Sequence, residues 1–175
     1  MVGLAAEPPD SAAPATAGAV SLALVDARLR GRVLKLAPHP FQRPWSGAPV
    51  DTLPPAERDP AQRPVAILLD GEPAGFLVLH GGVGAGRFVR PHGELLIRAF
   101  LVDAELQRRG IAARALAQLP AFVHRLDPSV TRLVLTVNVE NAVALKTYDR
   151  AGFRDTGSRY QRPGGGPQLV LDLPI

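Results

Sequence analysis

Two short stretches of this 175-residue chain combine residue types that can act on a ligand. The first is Gln107-Arg108-Arg109-Gly110-Ile111-Ala112, set between an apolar run, Glu94 to Val102, and a long stretch rich in alanine and leucine. If a helix begins at Gly110, the N–H groups of its first turn have no partner within the helix and point outward together. The helix dipole adds partial positive charge at the same place, so a phosphate or pyrophosphate is favoured there. Gly110 lets the backbone approach such an anion, Ala112 and Ala113 keep side chains out of its way, and Arg108 and Arg109 add charge at the rim. Taken alone, the same residues also suit a solvated turn before an ordinary helix.

The second stretch runs from Asn138 to Phe153 and follows an apolar segment. Asn141 and Tyr148 are seven residues apart, two helical turns, so one helix face carries both, with Ala144 or Leu145 between them. An amide and a phenol then point into a common cleft. Tyr148 by itself would also suit a half-buried packing position.

The elements that must position these residues follow from periodicity. Val20 to Asp26 alternates as a first strand, and Leu29, Val33, Leu34 and Leu36 then recur at helical spacing despite Gly31. Eight prolines between Pro38 and Pro64 predict loops, with at most a short helix near Asp51 to Arg58. Two apolar runs flank Asp70-Gly71, a hairpin signal. The Gly81 to Arg87 segment has glycines at alternate positions, but Pro91 and Gly93 stand where a dinucleotide-binding helix would have to follow; it is a connection between strands. Glu94 to Val102 is a strand, and a helix from Gly110 follows, in which Pro120 is expected to cause a kink or break. Thr131 to Val139 is a strand, the next helix ends at Gly152, and two strands close the chain around Gly164-Gly165-Gly166. The order is β, α, loops, three β, α, β, α, β, β. Residues 20–175 read as a single domain and residues 1–19 as a flexible tail rich in Pro, Ala, Ser and Gly.

Composition removes several classes of function. The chain has no cysteine, hence no thiolate nucleophile, thiolate metal site or disulfide, which fits a cytoplasmic protein. No apolar run reaches the ~18 residues of a membrane span, so no membrane partner is expected. The net charge of +4 and pI near 10.3 suggest an affinity for anions. Only Lys35 and Lys146 among the 20 basic residues are lysines, however, and the arginines are scattered. Without clustered lysines, interleaved aromatics or a helix-turn-helix pattern, no nucleic-acid partner is expected.

Taken together, Gln107, Gly110 and Ala112, followed by Asn141, Ala144, Tyr148, Gly152 and Phe153, resemble the two motifs of the Gcn5-related N-acetyltransferase (GNAT) superfamily. These are Q/R-x-x-G-x-G/A at one helix start and N-x-x-A-x-x-x-Y-x-x-x-G-F further on. The resemblance covers Glu94 to Ile175, and Phe100 to Ala112, Leu135 to Tyr160 and the terminal strand look most like bacterial spermine/spermidine-type acetyltransferases. It implies an α/β (α+β) GNAT fold: a central mixed, mostly antiparallel twisted sheet of about six to seven strands flanked by helices. A V-shaped splay is expected between the fourth and fifth strands, which end near Val102 and Val137.

By the same resemblance, the co-substrate is acetyl-CoA, with no metal, and the reaction is transfer of an acetyl group to a primary amine of a small molecule. Backbone groups at Leu101 and Val102 would hold the pantetheine arm. Gln107 and the backbone of Arg108, Arg109, Gly110, Ile111, Ala112 and Ala113 would take the pyrophosphate, Asn141 would contact the cofactor, and Tyr148 would be the general acid. A phenol of pKa ~10 can protonate a thiol-derived leaving group of pKa ~8.5 as it is expelled. The amine, of pKa ~10.4 when lysine-like, must in turn give up a proton. Some histone-acetylating members carry a glutamate at the position of Leu96; here Glu94, on the same face by strand alternation, is the candidate base, with His80 and His92 as alternatives. A polyamine acceptor would call for acids around the cleft, and Asp51, Glu57, Asp59 and Glu94 are available. A homodimer is common in the superfamily. The alternative is a non-catalytic acyl-CoA-binding sensor or interaction module, for which the leucine at position 96 leaves room.

Overall fold

The computed structural model describes residues 18–175. The tail expected over residues 1–19 lies, as far as residue 17, outside the described residues. Gly18 and Ala19 are tied to the body: the Ala19 N–H donates to Asp70 Oδ1 at 2.7 Å, and Arg114 donates to the Gly18 carbonyl.

The elements are β1 (Val20–Leu24), α1 (Ala27–Val33), α2 (Pro49–Glu57), β2 (Gln62–Leu69), β3 (Glu72–His80), β4 (Glu94–Val102), α3 (Ile111–Leu126), β5 (Arg132–Asn138), α4 (Ala142–Arg150), β6 (Arg154–Arg162) and β7 (Gly166–Pro174). Short 3-10 turns lie at Pro40–Gln42, Val83–Phe88 and Ala104–Leu106. The strands form one seven-stranded sheet in the order β1-β2-β3-β4-β5-β7-β6. Every neighbouring pair is antiparallel except β4 with β5. This is the expected α/β (α+β) architecture, with helices on both faces of a mixed sheet.

Local chemistry accounts for the boundaries. Asp26 ends the first extended segment because its carboxylate accepts from the N–H groups of Arg28 and Leu29 at 3.0 and 2.9 Å, capping α1. Asp70 and Gly71 both have positive φ, 51° and 84°, as the tight turn between β2 and β3 demands. The proline-rich stretch holds one short helix, α2, which starts on Pro49 and buries Leu53 and Ala56.

Pro120 neither breaks α3 nor ends it, so of the kink or break expected from the sequence the break does not occur. Leu116 and Leu119 before it and Phe122 and Val123 after it are buried in the same core. Burying each such side chain contributes ~1.5–3 kcal/mol, which together outweighs the ~3 kcal/mol cost of a proline in a helix interior.

The core has two main parts, one on each face. Val65, Ile67, Leu77, Leu79, Ile97, Leu133 and Leu135 pack beneath α3 and α4, whereas Ala66, Phe76, Val78 and Leu101 pack beneath α1 and α2. A smaller cluster joins Leu96, Val134 and Val170 to Ala85 and Val89 of the glycine-rich connection.

The parallel pairing of β4 and β5 runs from Glu94↔Arg132 to Ile97↔Leu135 and stops there. Beyond that point β4 stays with β3 as far as Val102↔Gly75, while β5 stays with β7 as far as Asn138↔Gln168. The sheet therefore opens between its fourth and fifth strands. A bulge starts the divergence: β4 carries an extra residue between its pairings with Val78 and Phe76, and Ala99 takes φ of 52°.

Leu133, fully buried under α3, and Leu24, 43% exposed at the sheet edge, give the core a direct measure. Leu133→Ala is expected to lower the unfolding free energy by about 2–5 kcal/mol, and Leu24→Ala by less than ~1 kcal/mol, in urea denaturation.

Candidate functional site

The open angle between β4 and β5 collects most of the residues singled out in the sequence. After Val102 the chain makes one 3-10 turn and then enters α3 through two left-handed residues, Arg108 with φ 66° and Gly110 with φ 70°. Among the described residues, the backbone N–H groups of Arg108, Arg109, Gly110, Ile111, Ala112 and Ala113 donate to no protein acceptor; the first regular bond is Arg114 N–H to the Gly110 carbonyl at 3.1 Å. Left-handed residues in such a turn can direct neighbouring N–H groups toward a common side, a concavity suited to an anion. Arg108, Arg109 and Gly110 are exposed, whereas Ile111 is buried as the anchor of the turn.

Gln107 braces this loop from behind. Its amide donates to the Val102 carbonyl at 3.0 Å and to Gln42 Oε1 at 2.8 Å, so it ties the end of β4 to the loop between α1 and α2. Asp103 reinforces the same junction, accepting from the Ala37 N–H at 3.0 Å. Leu101 and Val102 are buried on opposite faces of β4, and beyond Ile97 the edge of this strand that faces β5 has no strand partner. The Phe100 carbonyl accepts a long bond, 3.4 Å, from the Ser46 hydroxyl.

Asn141 is the N-cap of α4: its Oδ1 accepts from the Ala144 N–H at 3.1 Å. The same amide retains an NH2 group that can face a ligand. Tyr148 lies in α4, buried, with its ring edge-on to Phe100 of β4 at 6.0 Å and to Phe153 at 5.7 Å. Burial raises its phenol well above the ordinary tyrosine value, because the phenolate would lose its hydration, so the group stays protonated at neutral pH. The structure thus brings the start of α3, the end of β4 and Tyr148 into one apolar cluster on the same face of the sheet.

It does not bring Glu94 there. Glu94 begins β4 and is buried, with Oε2 accepting from the Arg90 N–H at 2.8 Å and from Arg132 at 3.1 Å; Arg132 also holds Asp172 at 2.7 Å. The expected base is a buried, bridged carboxylate at the closed end of the β4–β5 pairing. His92 is exposed in the turn before it. Leu96 belongs to the small apolar cluster with Val134 and Val170.

Arg98, which the sequence reading passed over, and Asp59, named there only among the acids available to a polyamine, meet His80 at the end of β3. The Arg98 guanidinium lies 3.1 Å from His80 Nδ1, and Asp59 Oδ2 lies 3.6 Å from Nε2. Burial pushes the imidazole below its ordinary value; Arg98 acts in the same direction and Asp59 against it. Asp59 is itself held low by bonds from the Gln62 amide and the Ala61 N–H. The sequence did carry a sign of this contact, since Arg98 interrupts an otherwise apolar strand.

Residues 31–153 match the acetyltransferase (GNAT) family. The chain belongs to that family. An uncharacterized N-acetyltransferase of Bacillus subtilis (strain 168), YbbJ, is 35% identical over 109 residues, 62% of this chain and 68% of the relative. Among solved structures, AAC(6')-Ib in complex with paromomycin and acetyl-CoA superposes with a TM-score of 0.71 at 21% identity, over 89% of this chain and 93% of that one. Spermidine N-acetyltransferase from Vibrio cholerae in complex with CoA and spermine gives 0.66 at 14% identity, over 89% and 95%. At these identities the two structures establish the shared fold of this N-acetyltransferase.

The ion-pair role of Glu94 is testable. Arg132→Met leaves a buried carboxylate short of its main partner and is expected to destabilise the acetyltransferase by ~3 kcal/mol or more. Adding Glu94→Gln should restore part of that loss, giving a clear coupling term in a double-mutant cycle followed by urea unfolding.

Proposed function

We propose that this protein transfers an acetyl group from acetyl-CoA to a primary amine of a small molecule, by direct attack of the amine on the thioester. The observation that carries the reading is the run of unpaired N–H groups from Arg108 to Ala113, beside an open β4 edge on which Tyr148 leans. A pyrophosphate needs several converging donors and few side chains, and this loop offers backbone donors with glycine and alanine at its closest points. The β4 edge at Leu101 and Val102 offers main-chain groups to the amides of an extended pantetheine arm, much as a further strand would. Asn141 can contribute its free NH2 from the start of α4.

Tyr148 suits the role of general acid. A buried phenol resists ionisation, yet the desolvation that raises its pKa also raises the basicity of a thiolate departing beside it. Proton transfer therefore accompanies expulsion of the thiolate. Main-chain N–H groups freed at the splay can hydrogen-bond the developing oxyanion.

Several observations bear on the acceptor. Of the acids that a polyamine site would use, Glu57 is paired with Arg30, Asp59 is bonded by Gln62, and Glu94 is bridged to Arg132. On the face of Leu96, a cleft of about 270 Å³ between the glycine-rich connection and β6 is lined by Arg87, Phe88, Arg132, Thr156, Ser158, Arg159 and Val170. Arg132 and Arg159 are paired with carboxylates, and the lining itself holds no acid for a second or third ammonium, which favours an amine of low positive charge over a polyamine.

Acetyl-CoA is expected to raise the melting temperature, and products from a mixed panel of amines, peptides and aminoglycosides should carry one added acetyl group by mass spectrometry. Tyr148→Phe should lower kcat by ~10²-fold or more while changing acetyl-CoA affinity little. Stabilisation without turnover across the panel would favour a non-catalytic acyl-CoA-binding module, and no thermal shift would exclude both.

The cradle makes a separate demand on the backbone. In a CoA titration, Gly110→Val should weaken binding more than Arg108→Ala, because a β-branched residue resists the left-handed φ of 70°, whereas Arg108→Ala removes charge at the rim and leaves the backbone N–H in place. The reverse ranking would mean that the arginines, and not the amides, hold the anion.

A further inference from the structure

His80 is a buried polar side chain, 3% exposed, and its Nε2 is enclosed with no hydrogen-bond partner among the described residues. Its place in the sheet is specific: it pairs across the β3–β4 register with Leu96, one residue before the last parallel pair of β4 with β5. Directly opposed residues of an antiparallel pair share a face, with Cβ atoms ~5 Å apart. The imidazole therefore stands beside the apex of the splay, on the face that carries the arginine-lined cleft.

The two ring nitrogens have different neighbours. A guanidinium only donates, so Arg98, 3.1 Å away, requires the lone pair at Nδ1. The proton of the neutral ring is then on Nε2, which Asp59 Oδ2 faces from 3.6 Å, beyond hydrogen-bond reach. A Cβ on Gly84 would come within 3.0 Å of Nε2, so the glycine-rich connection closes over that side. The Arg98 contact thus sets the tautomer, and Nδ1 faces the side chain of an exposed residue. Arg98 supplies a cationic N–H to Nδ1, just as a protonated amine nitrogen would.

We propose that His80 is the proton acceptor of the acetyl transfer, acting through Nδ1, with the Asp59 carboxylate as a nearby charge on the side of Nε2 and Arg98 occupying the place of the substrate nitrogen. The assignment rests on the acetyltransferase reading above. The free-base amine attacks the thioester carbonyl carbon, forming the N–C bond and a positively charged nitrogen. That nitrogen gives one proton to His80 Nδ1, directly or through one water. The C–S bond then breaks, and the thiolate takes the Tyr148 proton. His80 returns its proton to solvent and Tyr148 regains one, so amine and thioester become amide and thiol with no net proton change. Transfer to a weakly basic imidazole is feasible because the nitrogen becomes far more acidic as its bond to carbon forms.

The charged groups facing the ring are Arg98 from β4 and Asp59 from the turn after α2. The neutral imidazole is the competent form, so kcat should fall as pH drops through a midpoint below the ordinary histidine value of ~6.5. Arg98 depresses that midpoint and Asp59 raises it, so Arg98→Ala should move it up and Asp59→Ala should move it down.

The test uses the full chain with an amine found in the panel. His80→Gln is expected to lower kcat by ~10²-fold or more with acetyl-CoA affinity within about twofold. Arg98→Ala and Asp59→Ala, at more exposed positions, should remain folded by circular dichroism and shift the acidic limb of the kcat profile in opposite directions. If His80→Gln does not fold, those opposite shifts carry the assignment. Native-like kcat in His80→Gln, or an acidic limb unmoved in both exposed variants, overturns it while leaving acetyl transfer intact. Absence of turnover by the unsubstituted protein overturns the acetyltransferase reading itself, and this assignment with it.

Discussion

Everything at the candidate site depends on β4 and β5 parting after Ile97 and Leu135. Two strands in the middle of a sheet normally satisfy each other's backbone groups, and an unpaired buried group costs about as much as a lost hydrogen bond. Here the separation is sustained because each strand keeps its outer neighbour, β3 for one and β7 for the other. The bulge at Ala99 turns β4 away, and a non-glycine residue at φ 52° stores ~1–3 kcal/mol of strain. Burial of Leu101 and Phe76 on one face and of Val102 on the other holds that conformation. Tyr148 and Phe100 then meet across the opening, so the gap is bordered by packed side chains from α4 and β4.

The start of α3 depends on the same divergence. Since β4 ends away from β5, the chain can turn at Asp103 and enter α3 with its first N–H groups facing the gap. Gln107 makes that orientation rigid through the Val102 carbonyl and Gln42. A loop anchored on both sides keeps its donors aimed without a ligand, which lowers the ordering cost on binding. The function of the arginines changes accordingly. Arg108 matters as much for its left-handed backbone as for its guanidinium.

Periodicity made the element order legible because each strand and helix buries one face, and the GNAT motifs made the opening legible because they mark where α3 and α4 begin. What stayed hidden depends on register and on bonds between distant segments. Pro120 looked like a break because local rules do not register Leu116 and Phe122 packing into one core on either side of it. Glu94 shared a face with Leu96, as strand alternation requires, but its partner Arg132 belongs to a strand 38 residues away. The meeting of His80 with Arg98 likewise needs the β3–β4 register, which a bulge has shifted.

The excess of basic residues takes on a definite form in the folded chain. Arg30, Arg32, Arg132, Arg154 and Arg159 are matched by carboxylates. Arg98 instead faces an uncharged imidazole, and Arg87 lies over the Tyr160 ring at 5.6 Å. Among the described residues neither Arg87 nor Arg98 forms a salt bridge, although Asp59 lies near Arg98, so positive charge remains on the side of the sheet where we propose that the acceptor binds. An ammonium approaching that side is repelled, whereas its free base is not, and a fixed charge in a partly buried site is screened far less than one in open solvent. The same field that lowers the basicity of His80 therefore lowers that of an incoming amine. Nucleophile and proton acceptor are shifted in the same direction, which keeps the free base available without demanding a strong base from the protein.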